Sequence, residues 1–324
     1  MKRQRGFSLT ELLVATVIGL FLIAATFSVL GVSSASVRST GQMTQLHEAA
    51  RLALRLVEED LTQAGFFSDL SAIDLSPNTN TTLHGSVAGV DCVGKGMNNG
   101  TFPNGVGHFR TLWAAQRGSQ PAISCETAAR EGSDVLQLKR LRGNVVNGSL
   151  VSNRFYALLN LNELHFFTGQ QVPPPIAGGR IYEYQHRVYY VKNNADSVPT
   201  LYRHSLSSTA LMGVAEPLVE GVEMMRFEFG IDSNGDSAVD AYLKTSDVTD
   251  SLWDQHRDAE IISVQVHLLL RAFHQDGTFR AGMTRTYPMP GGTVSVPDDG
   301  YRRKQVSTTV VIRNPWLKTT GETP

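Results

Sequence analysis

Apolar residues follow two different rhythms in the N-terminal part of the chain. From Leu12 to Val32 they run for 21 positions without one charge. At helical rise that stretch spans about 31 Å, close to one hydrocarbon core. No proline interrupts it, and its Thr and Ser hydroxyls can bond back to helix carbonyls. The pattern then turns periodic. Val37, Met43, Leu46, Ala50, Ala53, Val57, Leu61 and Ala64 recur at spacings of three, four or six, which makes one stripe on a helix. Glu48, Arg51, Arg55, Glu58 and Glu59 lie opposite, with Arg55 and Glu59 four apart. Gly65 suits a left-handed cap. The two rhythms join into one predicted helix from about Phe7 to Ala64. Residues 7–32 would lie in lipid and residues 33–65 would pack on a soluble body, with Gly41 and "SSASVRSTG" the weakest points of the helix.

Beyond Gly65 the pattern becomes that of strands. "DVLQLKRL", "RFYALLNL", "ELHFFT", "HRVYYVK", "TLYRHSL", "EMMRFEFGI", "EIISVQVHLLLRAF" and "STTVVIRN" are rich in aromatic and β-branched residues and are parted by turn signals. No helical pattern alternates with them, so an antiparallel sheet is favoured over a doubly wound parallel one. Residues 66–133 read as a loop-rich insertion, and "QQVPPPIAGG" as a second, proline-stiffened loop. No internal repeat is present. The expected fold is α+β: a long N-terminal helix packed on a mainly antiparallel β-rich domain over 134–324.

Charge changes the picture at one place. The chain holds 29 Lys and Arg against 30 Asp and Glu, and Lys2, Arg3 and Arg5 stand before the apolar run. This basic head stays cytoplasmic by the positive-inside rule, so everything after Val32 lies across the membrane. Without residues 1–6, 26 basic side chains face 30 acidic ones. Such a body lacks the basic footprint of a nucleic-acid binder, and none is expected as a partner. A secretory signal cut near "VLGVSSASV" is the plainer alternative for the head.

Against that alternative stands "GFSLTELL", which resembles the class III signal of type IV prepilins: a short basic leader ending in Gly, then Phe, then an acid, then an apolar helix. The resemblance implies that a prepilin peptidase cuts between Gly6 and Phe7 and methylates Phe7. It also implies that Glu11 meets the N-terminal amine of a neighbouring subunit in the bilayer. In low dielectric such a pair is strongly preferred over either charge alone, which turns the burial penalty of Glu11 into a drive to dock. A glutamate that merely reaches the headgroups is the bland reading.

"RVYYVKNN…TLYRHS", "LVEGVEMMRFEFGIDSNGDSAVDAY" and "YRRKQVSTTVVIRN" extend the resemblance to PilW-type minor pilins, relatives of the J-type pseudopilins of type II secretion. It implies a pilin-like fold and a structural role. The subunit would prime filament assembly at the tip, with other minor pilins, the major pilin and a tip adhesin as partners. It would be held first in the inner membrane with its C-terminal domain in the periplasm, and later stand at the pilus tip. A J-type pseudopilin is the alternative in the same class.

Two features of the body invite separate readings. Cys92 and Cys125 both fall in the insertion. In an oxidising compartment they are expected to pair, closing a loop worth about 3–4 kcal/mol on the chain-entropy estimate. Two free thiols are the alternative, and no CxxC pair organises a metal. In "GIDSNGDSAVDAY", Asp232, Asn234, Asp236 and Asp240 occupy positions 1, 3, 5 and 9 of a calcium loop. Ser237 stands where that loop has Gly, and Leu243 where it has the bidentate Glu. An Asx-rich turn joining two strands explains the same residues without an ion. The plain turn is the favoured reading, so no cofactor is expected, and calcium is the one alternative the spacing admits.

Catalysis has little support. Nine histidines form no HExxH pair, there is no GxSxG elbow, and "VGKG" lacks phosphate-loop spacing. His256, near Asp254, Asp258 and Glu260, is the one tempting cluster, and a solvated loop accounts for it. A membrane-anchored periplasmic enzyme is a distant alternative, and the chain is expected not to be an enzyme.

Overall fold

The computed structural model describes residues 6, 8–68, 70, 75–85, 87–105, 107–254, 259–276 and 284–314. One helix, α1 (Leu9–Thr62), dominates its shape. It runs unbroken through Gly41 and the Ser/Thr-rich stretch before it. The chain leaves the helix by way of Gly65, whose φ of 72° lies in the left-handed region. A Cβ there would stand 3.2 Å from the Asn314 carbonyl oxygen and 3.3 Å from the Thr111 hydroxyl, so glycine serves both conformation and close packing. From there the chain runs beside a central strand, with the Leu141 amide donating to the Phe66 carbonyl at 2.8 Å.

The body contains two sheets and a hairpin. The larger sheet runs in the order β1 (Thr81–Leu83), β5 (Leu164–Thr168), β4 (Phe155–Leu159), β6 (Arg180–Asn193), β3 (Asp134–Val145) and β2 (Leu112–Gln116). Strand β7 (Pro199–Ser205) pairs with the second half of β6 and carries β8 (Ala215–Glu220). The β1–β5 pair is parallel, and the other strand pairs are antiparallel. The second sheet has the order β10 (Ala241–Lys244), β9 (Val222–Asp232), β11 (Glu260–Arg271) and β14 (Arg303–Val311). Strands β12 (Arg285–Met289) and β13 (Gly292–Val296) form the hairpin, and a single-turn helix, α2 (Asp250–Trp253), precedes β11. Within residues 66–133, expected to be loop, the structure adds β1 and β2. Strand β2 joins the sheet because Leu112, Trp113 and Ala114 bury against its neighbours.

Helix α1 packs on β14, β11, β9 and β8 through its second half. Leu46, Ala50, Ala53, Val57, Leu61 and Ala64 are buried there and join the main core. Val37, assigned to the same stripe by its spacing, is exposed, and Met43 is only partly covered, so contact with the body begins later than the periodicity suggests.

An acid holds this docking in place. Asp60 lies on the buried face at 1% exposure. The Arg187 guanidinium donates to both of its oxygens at 2.6 and 2.7 Å, and Arg140 donates at 2.8 Å. The Tyr189 hydroxyl donates as well. Arg140 and Arg187 belong to β3 and β6, so the helix that packs on the smaller sheet is ionically tied to the larger one. Burial alone raises the Asp60 pKa, but Arg187, Tyr189 and Arg140 outweigh it and hold the carboxyl below its ordinary value.

Removing this carboxylate strands two arginines in a core. Asp60→Ala is expected to lower unfolding free energy by about 3 kcal/mol, measured by denaturant unfolding of the purified protein. The sign of the pH effect follows from the lowered pKa. The carboxylate stabilises the fold above the unfolded value of about 4, and that contribution disappears as pH falls through the folded value. The wild-type protein should therefore lose stability below about pH 4 more steeply than Asp60→Ala.

Candidate functional site

Among the described residues, nothing buries the apolar first half of α1. Every large apolar side chain from Leu9 to Val32 is exposed, with Phe21 at 74% and Phe27 at 70%. One 18-residue window of the helix is long and apolar enough to cross a membrane. Exposed apolar surface on this scale marks contact with lipid or protein.

At its head, Gly6 is exposed and Phe7 lies outside the described residues, as do residues 1–5. Ser8 caps the helix. Its Oγ accepts the Glu11 amide at 3.2 Å, and Glu11 Oε2 accepts the Ser8 amide at 2.8 Å. This reciprocal pair is a capping box. The S-x-x-E pattern was present in the sequence as a local signal, but reading Glu11 as part of the leader signal hid Ser8. The capping bond uses one oxygen of Glu11 and the Ser8 amide, a group that a cut before Phe7 leaves intact. An ionised carboxylate has two acceptor oxygens, so one can cap while the other meets a cation.

Among the described residues, the body presents no comparable uncovered apolar surface. Cys92 and Cys125 form a disulfide with Cα atoms 4.7 Å apart. It closes the insertion on itself. A buried polar network then fastens the insertion to the larger sheet. The Gln137 amide donates to the carbonyls of Cys92 and Asn99 at 3.2 Å each, and Tyr184 donates its hydroxyl to the Thr101 carbonyl at 2.5 Å.

Asp232, Asn234, Asp236 and Asp240 do come together, in the turn between β9 and β10. Asp232 Oδ1 accepts the amides of Asn234 and Gly235 at 3.1 and 2.6 Å, and its Oδ2 accepts Ser237 at 2.8 Å. Asn234 accepts Asp236 at 2.9 Å, Asp236 accepts Ala238 at 2.8 Å, and Asp240 accepts Ser233 at 2.7 Å. Burial pushes the Asp232 pKa up, but the amides of Gly235, Ser237 and Asn234 more than offset it and hold the carboxyl below its usual range. Gly235 and Ser237, at φ 80° and 65°, supply the left-handed residues of the turn. Among the described residues no group of three or more His, Cys, Asp or Glu is arranged to hold a metal.

Of the cluster around His256, both His256 and Asp258 lie outside the described residues. Asp254 and Asp250 have a structural partner. They receive the buried Arg110 guanidinium, at 2.6 and 2.9 Å for Asp254 and 3.0 Å for Asp250. Arg110 and Asp60 are thus organising residues that local sequence patterns did not expose.

Comparison with known proteins adds to this geometry. Residues 188–314 match the family described as type IV pilus-assembly protein W, and residues 1–27 match the prokaryotic N-terminal methylation motif. The first span runs from the second half of β6 through β14 and includes the sheet on which α1 packs. No curated protein matches the chain. Among solved structures, a type IV-like pilin from Thermus thermophilus aligns with 83% of this chain and 97% of its own, at 13% identity and a TM-score of 0.38. The chain is type IV pilin-like, with a class III signal at its head and an apolar helix suited to anchor a soluble C-terminal body.

The turn geometry makes a prediction about calcium. Because amides already occupy the Asp232, Asn234 and Asp236 oxygens, the protein should melt at the same temperature in calcium and in chelator. Asp232→Ala, which frees three amides, should lower the melting temperature in both. A calcium-dependent rise that Asp236→Ala abolishes would instead identify these residues as ligands.

Proposed function

We propose that the chain is a minor pilin of a type IV pilus, a structural and assembly subunit and not a catalyst. A prepilin peptidase cuts between Gly6 and Phe7 and methylates the new terminus. The processed chain then spans the inner membrane once, with its body in the periplasm. There it joins other minor pilins to prime the filament, and it stands at the tip beneath an adhesin with the major pilin below. The observation that carries this reading is the uncovered apolar half of α1, headed by Glu11 and joined to a body whose second half resembles the pilus-assembly family.

Glu11 supplies the chemical logic. A subunit entering the filament brings a positive Phe7 amine to the edge of the bilayer, and the Glu11 carboxylate of its neighbour is the matching charge. Pairing offsets the cost of holding either charge alone in low dielectric, so the correct longitudinal position becomes the favoured one. The capping box leaves Glu11 Oε1 available for this contact.

Substitutions can separate the two roles of Glu11. Glutamine also completes a capping box, so Glu11→Gln keeps the helix start and loses only the charge. Deleting the gene should abolish surface pili, and the wild-type gene should restore them. Glu11→Gln should restore them no better than Glu11→Ala, with protein levels unchanged. Normal piliation in the deletion strain, with loss of protein secretion instead, would overturn the reading in favour of a type II secretion pseudopilin.

A further inference from the structure

Beneath the insertion sits a fully buried lysine whose contacts are unlike those of an ion pair. Lys139, on β3, is 0% exposed. Its Nζ donates to the Arg110 carbonyl at 2.7 Å and to Asn99 Oδ1 at 3.3 Å, and lies 4.5 Å from the centre of the Phe109 ring. These partners are neutral groups. Burial, with the nearby Arg110 charge, holds the Lys139 pKa well below its ordinary value and so favours the neutral amine, against the opposing pull of Asp91.

Asn99 is held just as firmly. It is 1% exposed, and its Nδ2 donates to the Lys95 carbonyl at 2.8 Å. Gly94 approaches so closely that a Cβ there would stand 2.5 Å from Nδ2. The side-chain amide therefore has one orientation, with its carbonyl facing the amine. Asp91 lies beside the same segment, where its carboxylate accepts the Thr101 amide at 3.1 and 3.2 Å and the Thr101 hydroxyl at 2.5 Å. Its charge acts on Lys139.

We propose that Lys139 and Asn99 join in an intramolecular amide crosslink. The Nζ lone pair adds to Asn99 Cγ, and the Cγ–Nδ2 bond breaks. One amine proton passes to Nδ2, which leaves as ammonia, so the step needs neither oxidant nor cofactor. The fold supplies what the reaction lacks in water: a buried amine held 3.3 Å from the oxygen of a carboxamide whose orientation is fixed. The Phe109 ring covers the amine and the disulfide-bonded insertion closes over the pair.

The crosslink would do something the disulfide does not. Cys92–Cys125 ties the insertion to itself, whereas Asn99–Lys139 ties it to the central sheet. Reduction opens the first and leaves the second intact. Both lie outside residues 188–314, so the tie belongs to the part of the body not covered by the family match.

Peptide mapping of the full-length protein, reduced and denatured before trypsin, tests this directly. Trypsin does not cut after a lysine whose amine is in an amide. Residues 96–110 and 131–140 should therefore appear as one branched species, lighter than the two peptides together by about 17 Da, one ammonia. In Asn99→Ser they should appear separately, with cleavage restored after Lys139. Separate peptides from the wild-type protein, with Asn99 intact or merely deamidated, would overturn the proposal. So would a branched species that persists in Asn99→Ser.

Discussion

The structure is organised by a helix with too much apolar surface for its own chain to cover. Fourteen large apolar side chains between Leu9 and Val32 are exposed. Each contributes about 1.5–3 kcal/mol when taken out of water, so together they outweigh the whole stability of a typical domain. Among the described residues the body does not cover this surface: α1 is one continuous helix whose large apolar side chains stay exposed from Leu9 to Val32. Lipid and neighbouring helices are the environments that match it. Its head carries a basic run in the sequence, a start capped by Ser8, and a single acid, Glu11.

The other half of the same helix meets the opposite requirement, which is to transmit position to a folded body. Its apolar stripe packs on β14, β11 and β9, and such packing is largely non-directional. Asp60 adds direction. By accepting from Arg140, Arg187 and Tyr189 it ties the helix to the larger sheet, so both sheets answer to one rigid rod. Ion pairs buried to this degree add little net stability over apolar packing but penalise misplacement heavily. The insertion is fastened on the same principle, stapled by its disulfide and by polar contacts to β3 and β6.

Much of this was legible in the sequence because the signals are local. The helix emerges from continuous and then periodic apolar spacing. The eight aromatic and β-branched segments all fall on strands, and the Asn-Gly turn joins β9 to β10. What was missed is either short or non-local. Strands β8 and β12 contain Pro217 and Pro288, which argue against a strand. They occur here because each pairs with one neighbour only, where a missing N–H costs nothing. Strand β2 was hidden among glycine-rich loops and owes its pairing to β3. Asp60 could not be singled out among Glu58, Glu59 and Asp60, since its arginines lie 80 and 127 positions away. Ser8 was visible as half of a capping box but was overlooked beside the stronger signal around Glu11.

The account depends on the chain beginning, in its mature form, at Phe7. Mass spectrometry of the N-terminal peptide from membrane-extracted protein reads this most directly. The account predicts a peptide that starts with N-methylated phenylalanine at position 7. A peptide that retains Met1, or one that starts beyond the apolar run, would contradict it.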